Sequence, residues 1–169
     1  ALKSNYRNIR KIAPNSKIMA VLKANAYGHG IIECAKIFES IGLDYFGAAF
    51  LEEGIQLRNA GITKPILVMG GVFNDQIEYF LKYNLDCTAS SLDKLNAINE
   101  TAQKLNTQAK VQLKIDTGMG RIGIHYSNAE KLIELSLKLK NIIVTGIYSH
   151  FAEADNQDLT FTKTQLSRF

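Results

Sequence analysis

Three stretches of this chain place chemically capable side chains where a buried apolar run ends. The first is Lys23-Ala24-Asn25-Ala26-Tyr27-Gly28-His29-Gly30, which follows the run Ile18 to Leu22. A lysine amine can form an imine with an aldehyde when its surroundings lower its pKa from about 10.4. Gly28 and Gly30 would let the backbone approach a ligand closely. A lysine directly after a buried strand can equally be the point where the chain reaches water. His29 reads as a loop residue.

The second stretch runs from Lys114 to Gly123 (Lys-Ile-Asp-Thr-Gly-Met-Gly-Arg-Ile-Gly). On a strand, Lys114 and Asp116 lie on one face. Gly118, Gly120 and Gly123 make a tight loop that aims Arg121. An arginine stays charged and donates in a fork, which suits a carboxylate or a phenolate. The alternative is a turn with a solvated arginine. The third stretch is Ser149-His150. A lone histidine there is either a proton carrier or a satisfied structural group.

The elements that must hold these residues alternate between short apolar strands and amphipathic helices. Strands are predicted at Ile18 to Leu22, Tyr45 to Phe50, Pro65 to Met69, Asp86 to Ala89, Val111 to Ile115 and Ile142 to Tyr148. Continuous apolar runs of this kind are expected of strands buried on both faces. Helices are predicted at Ile31 to Ile41, Glu52 to Ala60, Asn74 to Tyr83, Leu92 to Leu105 and from Thr160 onward. Asn74 is read as a helix cap, and Ser127 to Glu130 as a capping box opening a further helix. No linker interrupts the series. Two architectures use such βα units, the open doubly wound sheet and the closed eight-stranded barrel. A whole barrel takes about 250 residues, so a chain of 169 residues is either an open sheet or part of a barrel.

Composition narrows the function classes. Apolar residues make up 46% and charged residues 21%, which fits an ordinary folded domain. The net charge of +4 comes from 20 basic and 16 acidic residues, and the basic ones are scattered. A nucleic-acid surface would need them clustered. Cys34 and Cys87 show neither metal-ligand spacing nor a disulfide framework, so no metal site and a reducing compartment, the cytoplasm, are expected. No signal peptide is visible and no apolar run is long enough to span a membrane. Ala1 is read as a start other than the native one.

Ala20-Val21-Leu22-Lys23-Ala24-Asn25-Ala26-Tyr27-Gly28-His29-Gly30 resembles the cofactor-lysine signature of the alanine racemases. Lys114 to Gly123 resembles the same family's segment around its active-site arginine. Gly146 to Asp155, followed by Phe161 to Phe169, is similar to its sixth-strand region. The resemblance covers essentially the whole chain. It implies a pyridoxal 5'-phosphate (PLP) binding α/β fold, a (β/α)8 TIM-type barrel, of which residues 1–169 would be the N-terminal part with about six of eight βα units. A β-rich C-terminal domain would lie outside this chain.

The resemblance implies a role for each residue. Lys23 would carry PLP in imine linkage and act as one of two catalytic bases. Tyr27 would hydrogen-bond the cofactor phosphate, and His150 would sit against the cofactor ring. Arg121 would approach the cofactor's phenolic oxygen and the substrate carboxylate. Met119 would line the substrate pocket. Lys114 matches a lysine that is carbamylated in some members, where it steadies that arginine. The implied activity is interconversion of L- and D-alanine, which supplies D-alanine for peptidoglycan, in a cytoplasmic homodimer. The second base, a tyrosine from the partner subunit, would lie outside this chain, so these residues alone are expected to be inactive. The alternatives are a racemase of another small amino acid or a decarboxylase on the same barrel, a non-catalytic PLP-binding barrel, and a barrel enzyme without PLP.

Overall fold

The computed structural model describes residues 1–169. It is an α/β structure whose strands form parallel sheets, arranged in two compact units. The first unit holds Ala1–Gly70 with Lys82–Asp86, and the second holds Gly71–Leu81 with Cys87–Phe169.

In the first unit, α1 (Leu2–Ile12) precedes β1 (Met19–Val21), α2 (Ile31–Ser40), β2 (Tyr45–Ala48), α3 (Leu51–Asn59) and β3 (Ile66–Val68). The strands pair in parallel in the order β1-β2-β3, and Leu67 makes one further parallel bridge to Asp86. A parallel crossover needs a covering element, and α2 and α3 serve as the two connections. Their inward residues follow from helical spacing. Ile31 and Ala35 on α2 and Leu57 on α3 are buried, as are Phe46, Ile66, Leu67 and Val68 on the strands. α1 is anchored by polar contacts. The Arg10 guanidinium donates to the Ser16 carbonyl at 2.6 Å and to the Asp44 carboxylate at 2.5 Å, and the Tyr6 hydroxyl donates to the Gly42 carbonyl at 3.2 Å.

In the second unit, a 3-10 turn at Asn74–Gln76 leads into α4 (Ile77–Lys82), of which Ile77–Leu81 belong to this unit. β4 (Cys87–Ala89), α5 (Leu92–Lys104), β5 (Ala109–Asp116), β6 (Ile124–His125), α6 (Ala129–Lys138), β7 (Ile142–Tyr148) and α7 (Thr160–Ser167) follow. β5 is the central strand. It pairs in parallel with β4 along Val111 to Leu113, with β7 along Ala109 to Lys114, and with β6 at Ile115 and Asp116. A bulge falls in β7, where Val111 faces Val144 but Gln112 faces Gly146, leaving Thr145 as the extra residue.

Within each sheet the long strands follow one another in chain order, with no reversal of the kind a doubly wound sheet contains. Several boundaries differ from the sequence reading. α1 was not predicted, although Leu2, Tyr6, Ile9 and Ile12 recur in it at helical spacing; of its residues only Tyr6 is buried. β6 was not predicted either, since two residues are too short to show a period. Asn74 starts the 3-10 turn instead of capping it, and its Oδ1 accepts from Lys94 Nζ. The predicted capping box does not form. Asn128 occupies the cap of α6 without a side-chain bond, and the Ser127 hydroxyl bonds the ring of His125 at 2.8 Å. No helix is long and apolar enough to cross a membrane.

Leu57 is fully buried. Leu57→Ala removes three buried carbons and leaves a cavity, so denaturant unfolding should show a loss of about 2–5 kcal/mol. A loss under 1 kcal/mol would mean the site collapses around the smaller residue.

Candidate functional site

β1 ends at Val21, and the backbone then winds the wrong way for L-residues. Ala24, Asn25, Ala26 and Tyr27 all have φ between 52° and 55°. Together with Lys23 they form a single left-handed turn, closed by the Ala26 N–H on the Leu22 carbonyl at 2.8 Å and the Gly28 N–H on the Ala24 carbonyl at 3.1 Å. Each non-glycine residue in this region costs roughly 1–2 kcal/mol, less for asparagine. Such strain persists only where the surroundings hold it. Here the Asn25 Oδ1 accepts the Ile31 N–H at 2.9 Å, at the start of α2. The Glu53 carboxylate accepts the Ala24 N–H at 2.7 Å through one oxygen, and the Ala49 and Phe50 N–H groups at 2.7 and 3.2 Å through the other. Gly28 and Gly30, at φ +88° and +89°, finish the turn. A Cβ on Gly28 would meet nothing within 4 Å, so open space lies beside the turn.

Lys23 stands exposed at the start of this turn, with its Nζ 5.9 Å from the centre of the Tyr27 ring. Tyr27 is 61% exposed, so its phenol is free to meet a ligand. The first unit thus offers an amine, a phenol and open space on a hydrogen-bonded turn at the carboxyl end of β1, which is half-buried and not buried on both faces as its apolar run predicts.

The second unit builds its site on β5. The Asp116 Oδ1 accepts the Gly118 N–H at 2.9 Å and the Gly120 N–H at 3.1 Å. Burial works against its charge, but donation from the backbone of Gly118, Gly120, Met119 and Arg121 outweighs that and holds its pKa below the usual carboxylate value. Asp116 therefore shapes the loop that presents Met119, half-buried, and Arg121, exposed. Gly123 lets the chain return close to β5, since a Cβ there would lie 2.8 Å from the Asp116 nitrogen.

Lys114 is 6% exposed, and its Nζ lies 4.1 Å from the centre of the Tyr148 ring. Burial, and then the positive charge of Arg121, bring the amine down to about 8, against a smaller pull upward from Asp116. Burial pushes the Tyr148 phenol up to about 12, although its oxygen bonds the Thr88 hydroxyl at 2.8 Å. The Thr117 hydroxyl bonds the Ser149 hydroxyl at 2.7 Å and accepts from the Gln165 amide at 3.2 Å. That amide also donates to the His150 carbonyl at 3.0 Å, while its oxygen accepts the Ala152 N–H at 2.8 Å. Gln165 is fully buried. It fixes the backbone after β7 and leaves the His150 side chain exposed at the mouth of a cavity of about 350 Å³, which Thr117, Tyr148, Phe151 and Phe169 also line.

Lys23 and Tyr27 therefore belong to the first unit, and Lys114, Met119, Arg121 and His150 to the second. Four participants escaped the sequence reading: Glu53, Tyr148, Thr88 and Gln165. Tyr148 was out of reach, because it stands opposite Lys114 only through the bulged register that pairs β5 with β7. Nothing in the sequence distinguishes Glu53 from Glu52 beside it. No group of three or more His, Cys, Asp or Glu residues could hold a metal ion.

The family model for "Alanine racemase, N-terminal domain" matches residues 1–169. The alanine racemase of Carboxydothermus hydrogenoformans is 45% identical over 168 residues, covering 99% of this chain and 45% of that protein. The solved alanine racemase of Clostridium difficile 630 superposes with a TM-score of 0.94 at 39% identity, covering 99% of this chain and 44% of the other. A histidine racemase from Leuconostoc mesenteroides superposes with a TM-score of 0.93 at 30% identity, covering 99% and 45%. The chain thus spans about half the length of the relatives it matches.

The Lys114 amine titrates near 8 when folded and at 10.5 in the unfolded chain. Between those values the unfolded state binds more protons, so stability rises with pH across that window. In carbonate-free buffer the wild type should gain on Lys114→Met by up to roughly 3 kcal/mol between about pH 8 and 10.5. Parallel pH profiles of unfolding for the two proteins would show that Lys114 is solvated.

Proposed function

From the membership of this chain in the alanine racemase family, as an N-terminal domain, we propose that the intact protein is a PLP-dependent racemase that interconverts L- and D-alanine. The observation that carries this reading is Lys23, an exposed amine at the end of a half-buried parallel strand, on a left-handed turn beside an exposed phenol and open space. These groups fit an aldehyde that carries a phosphate. The sequential parallel order of each sheet supports a (β/α)8 barrel to which this chain contributes about six units.

Bound PLP supplies an electron sink that acidifies the α-hydrogen of an attached amino acid. The remaining work belongs to side chains. Lys23 would hold the cofactor through its amine, and the same amine would take or return the α-proton on one face. The opposite face needs a second base, which in this reading is a tyrosine of the partner subunit in a homodimer. Tyr27 would hold the phosphate by donating a hydrogen bond. Arg121 would hold the substrate carboxylate with its fork and would help to hold the cofactor. His150 would help to hold the cofactor, and Met119 would limit the space for the substrate side chain.

Lys114 steadies Arg121 as a carbamate. Its lowered pKa of about 8 leaves part of the amine neutral near neutral pH, the form that adds carbon dioxide. The change from cation to anion turns repulsion of Arg121 into attraction. The product, D-alanine, would serve peptidoglycan synthesis in the cytoplasm.

A second reading, a racemase for a different amino acid on the same fold, is favoured by the histidine racemase among the solved neighbours. Turnover of L-alanine and L-histidine by the intact protein, followed through D-amino-acid oxidase, separates the two.

Borohydride reduction of the holoenzyme and peptide mapping should place the pyridoxyl group on Lys23. A label on another lysine sinks the assignment. Arg121→Lys should lower kcat roughly 10- to 100-fold in a protein of unchanged melting temperature, because lysine keeps the charge but loses the planar fork. Unaltered kcat would make Arg121 a loop residue only.

A further inference from the structure

We propose that Glu53 is a positioning residue for Lys23, acting through the backbone of the left-handed turn; this rests on the reading of Lys23 as the cofactor lysine. Glu53 lies on the third residue of α3, and both its oxygens are engaged with main-chain donors. One oxygen holds the Ala24 N–H, one residue beyond Lys23, and the other holds the Ala49 and Phe50 N–H groups just past β2. A single carboxylate therefore ties the carboxyl ends of two adjacent parallel strands together at the point where their own ladder stops. The Leu22 N–H on the Gly47 carbonyl, at 2.8 Å, is the last ladder bond before it.

This bridge needs an acceptor at both ends. A carboxylate has two, while a carboxamide has one oxygen and one NH2 donor. In Glu53→Gln the NH2 must face either Ala24 N–H or the Ala49 and Phe50 pair, donor against donor, so one strand end is released. The turn from Ala24 to Tyr27 carries four non-glycine residues at positive φ. Releasing its first N–H lets it relax toward ordinary backbone. The Lys23 amine then loses its fixed direction, although the fold around it persists. Glu53 touches neither substrate nor cofactor in this account.

The test uses the intact protein, in apo and PLP-loaded form, as wild type, Glu53→Gln and Leu57→Ala. Leu57→Ala weakens the same helix without touching the bridge. Amide hydrogen exchange of the apo protein should quicken at least tenfold at Ala24 or at Ala49 in Glu53→Gln. PLP affinity, read from the absorbance of the lysine-bound cofactor, should fall about tenfold or more. In Leu57→Ala the melting temperature should drop while affinity stays within about twofold. Unchanged exchange and affinity in Glu53→Gln overturn the proposal, and so does an equal loss of affinity in Leu57→Ala. Should Glu53→Gln fail to accumulate, Glu53→Asp, too short to span both strand ends, takes its place in the same comparison. A wild-type pyridoxyl group on another lysine refutes the reading of Lys23 and the proposal with it, while Ala24 exchange still reports separately on the bridge.

Discussion

Where a parallel strand stops pairing, its last N–H groups need acceptors, and a side chain that supplies them in place of water also fixes the backbone. In this chain two carboxylates meet that need at the carboxyl ends of strands. Glu53 does so for the segments after β1 and β2, and Asp116 does so for the loop after β5. Each accepts several main-chain donors, Glu53 from the residue after Lys23 and Asp116 from the loop that contains Arg121. The backbone conformations that present those cations depend on these bonds. Without Asp116, the glycines at 118 and 120 would leave the loop with many conformations in place of one.

A second constraint is electrostatic. Lys114 is buried under the Tyr148 ring with a guanidinium as its main charged neighbour, and the Asp116 carboxylate only partly offsets this. A permanent cation in that position is expensive. The structure relieves part of the cost through the ring face and by lowering the amine toward neutrality. The same burial keeps the Tyr148 phenol protonated, so its hydroxyl remains a hydrogen-bonding group toward Thr88. Lys114 is thereby placed where a change in its charge is felt directly by Arg121.

The strands were legible because each contains a run of apolar residues between helix signals, although only β3 and β4 are buried along their whole length and β7 leaves Ile143, Val144 and Ile147 exposed. Ile142 to Tyr148 was read with the bounds it has, and Ile66 to Val68 lies inside its predicted run. The helices were legible to within a residue or two, since their ends coincide with Gly42, Gly61 or Ser91. Much of what escaped has a common feature. α1 is held by Tyr6 and Arg10 through partners 6 to 36 residues away, and its own composition is mostly polar. The Thr145 bulge depends on a register with β5, whereas the failed capping box at Ser127 is a local matter, since Ser127 lies inside a 3-10 turn and its hydroxyl bonds the ring of His125 two residues back.

The sequence by itself determined the alternation of strand and helix and the strand ends at which Lys23, Lys114 and His150 appear, because hydrophobic period and chain punctuation are local properties. It also contained the segments that resemble the alanine racemases, and the family match covers the same residues. Only the tertiary structure decided which of two adjacent glutamates would bridge β1 and β2, that Ala24 to Tyr27 would wind left-handed, and that Tyr148 would cover Lys114. Those outcomes turn on contacts between residues about 30 apart in the chain, where a hydrogen-bond partner or a ring face is set by packing and not by the neighbouring letters.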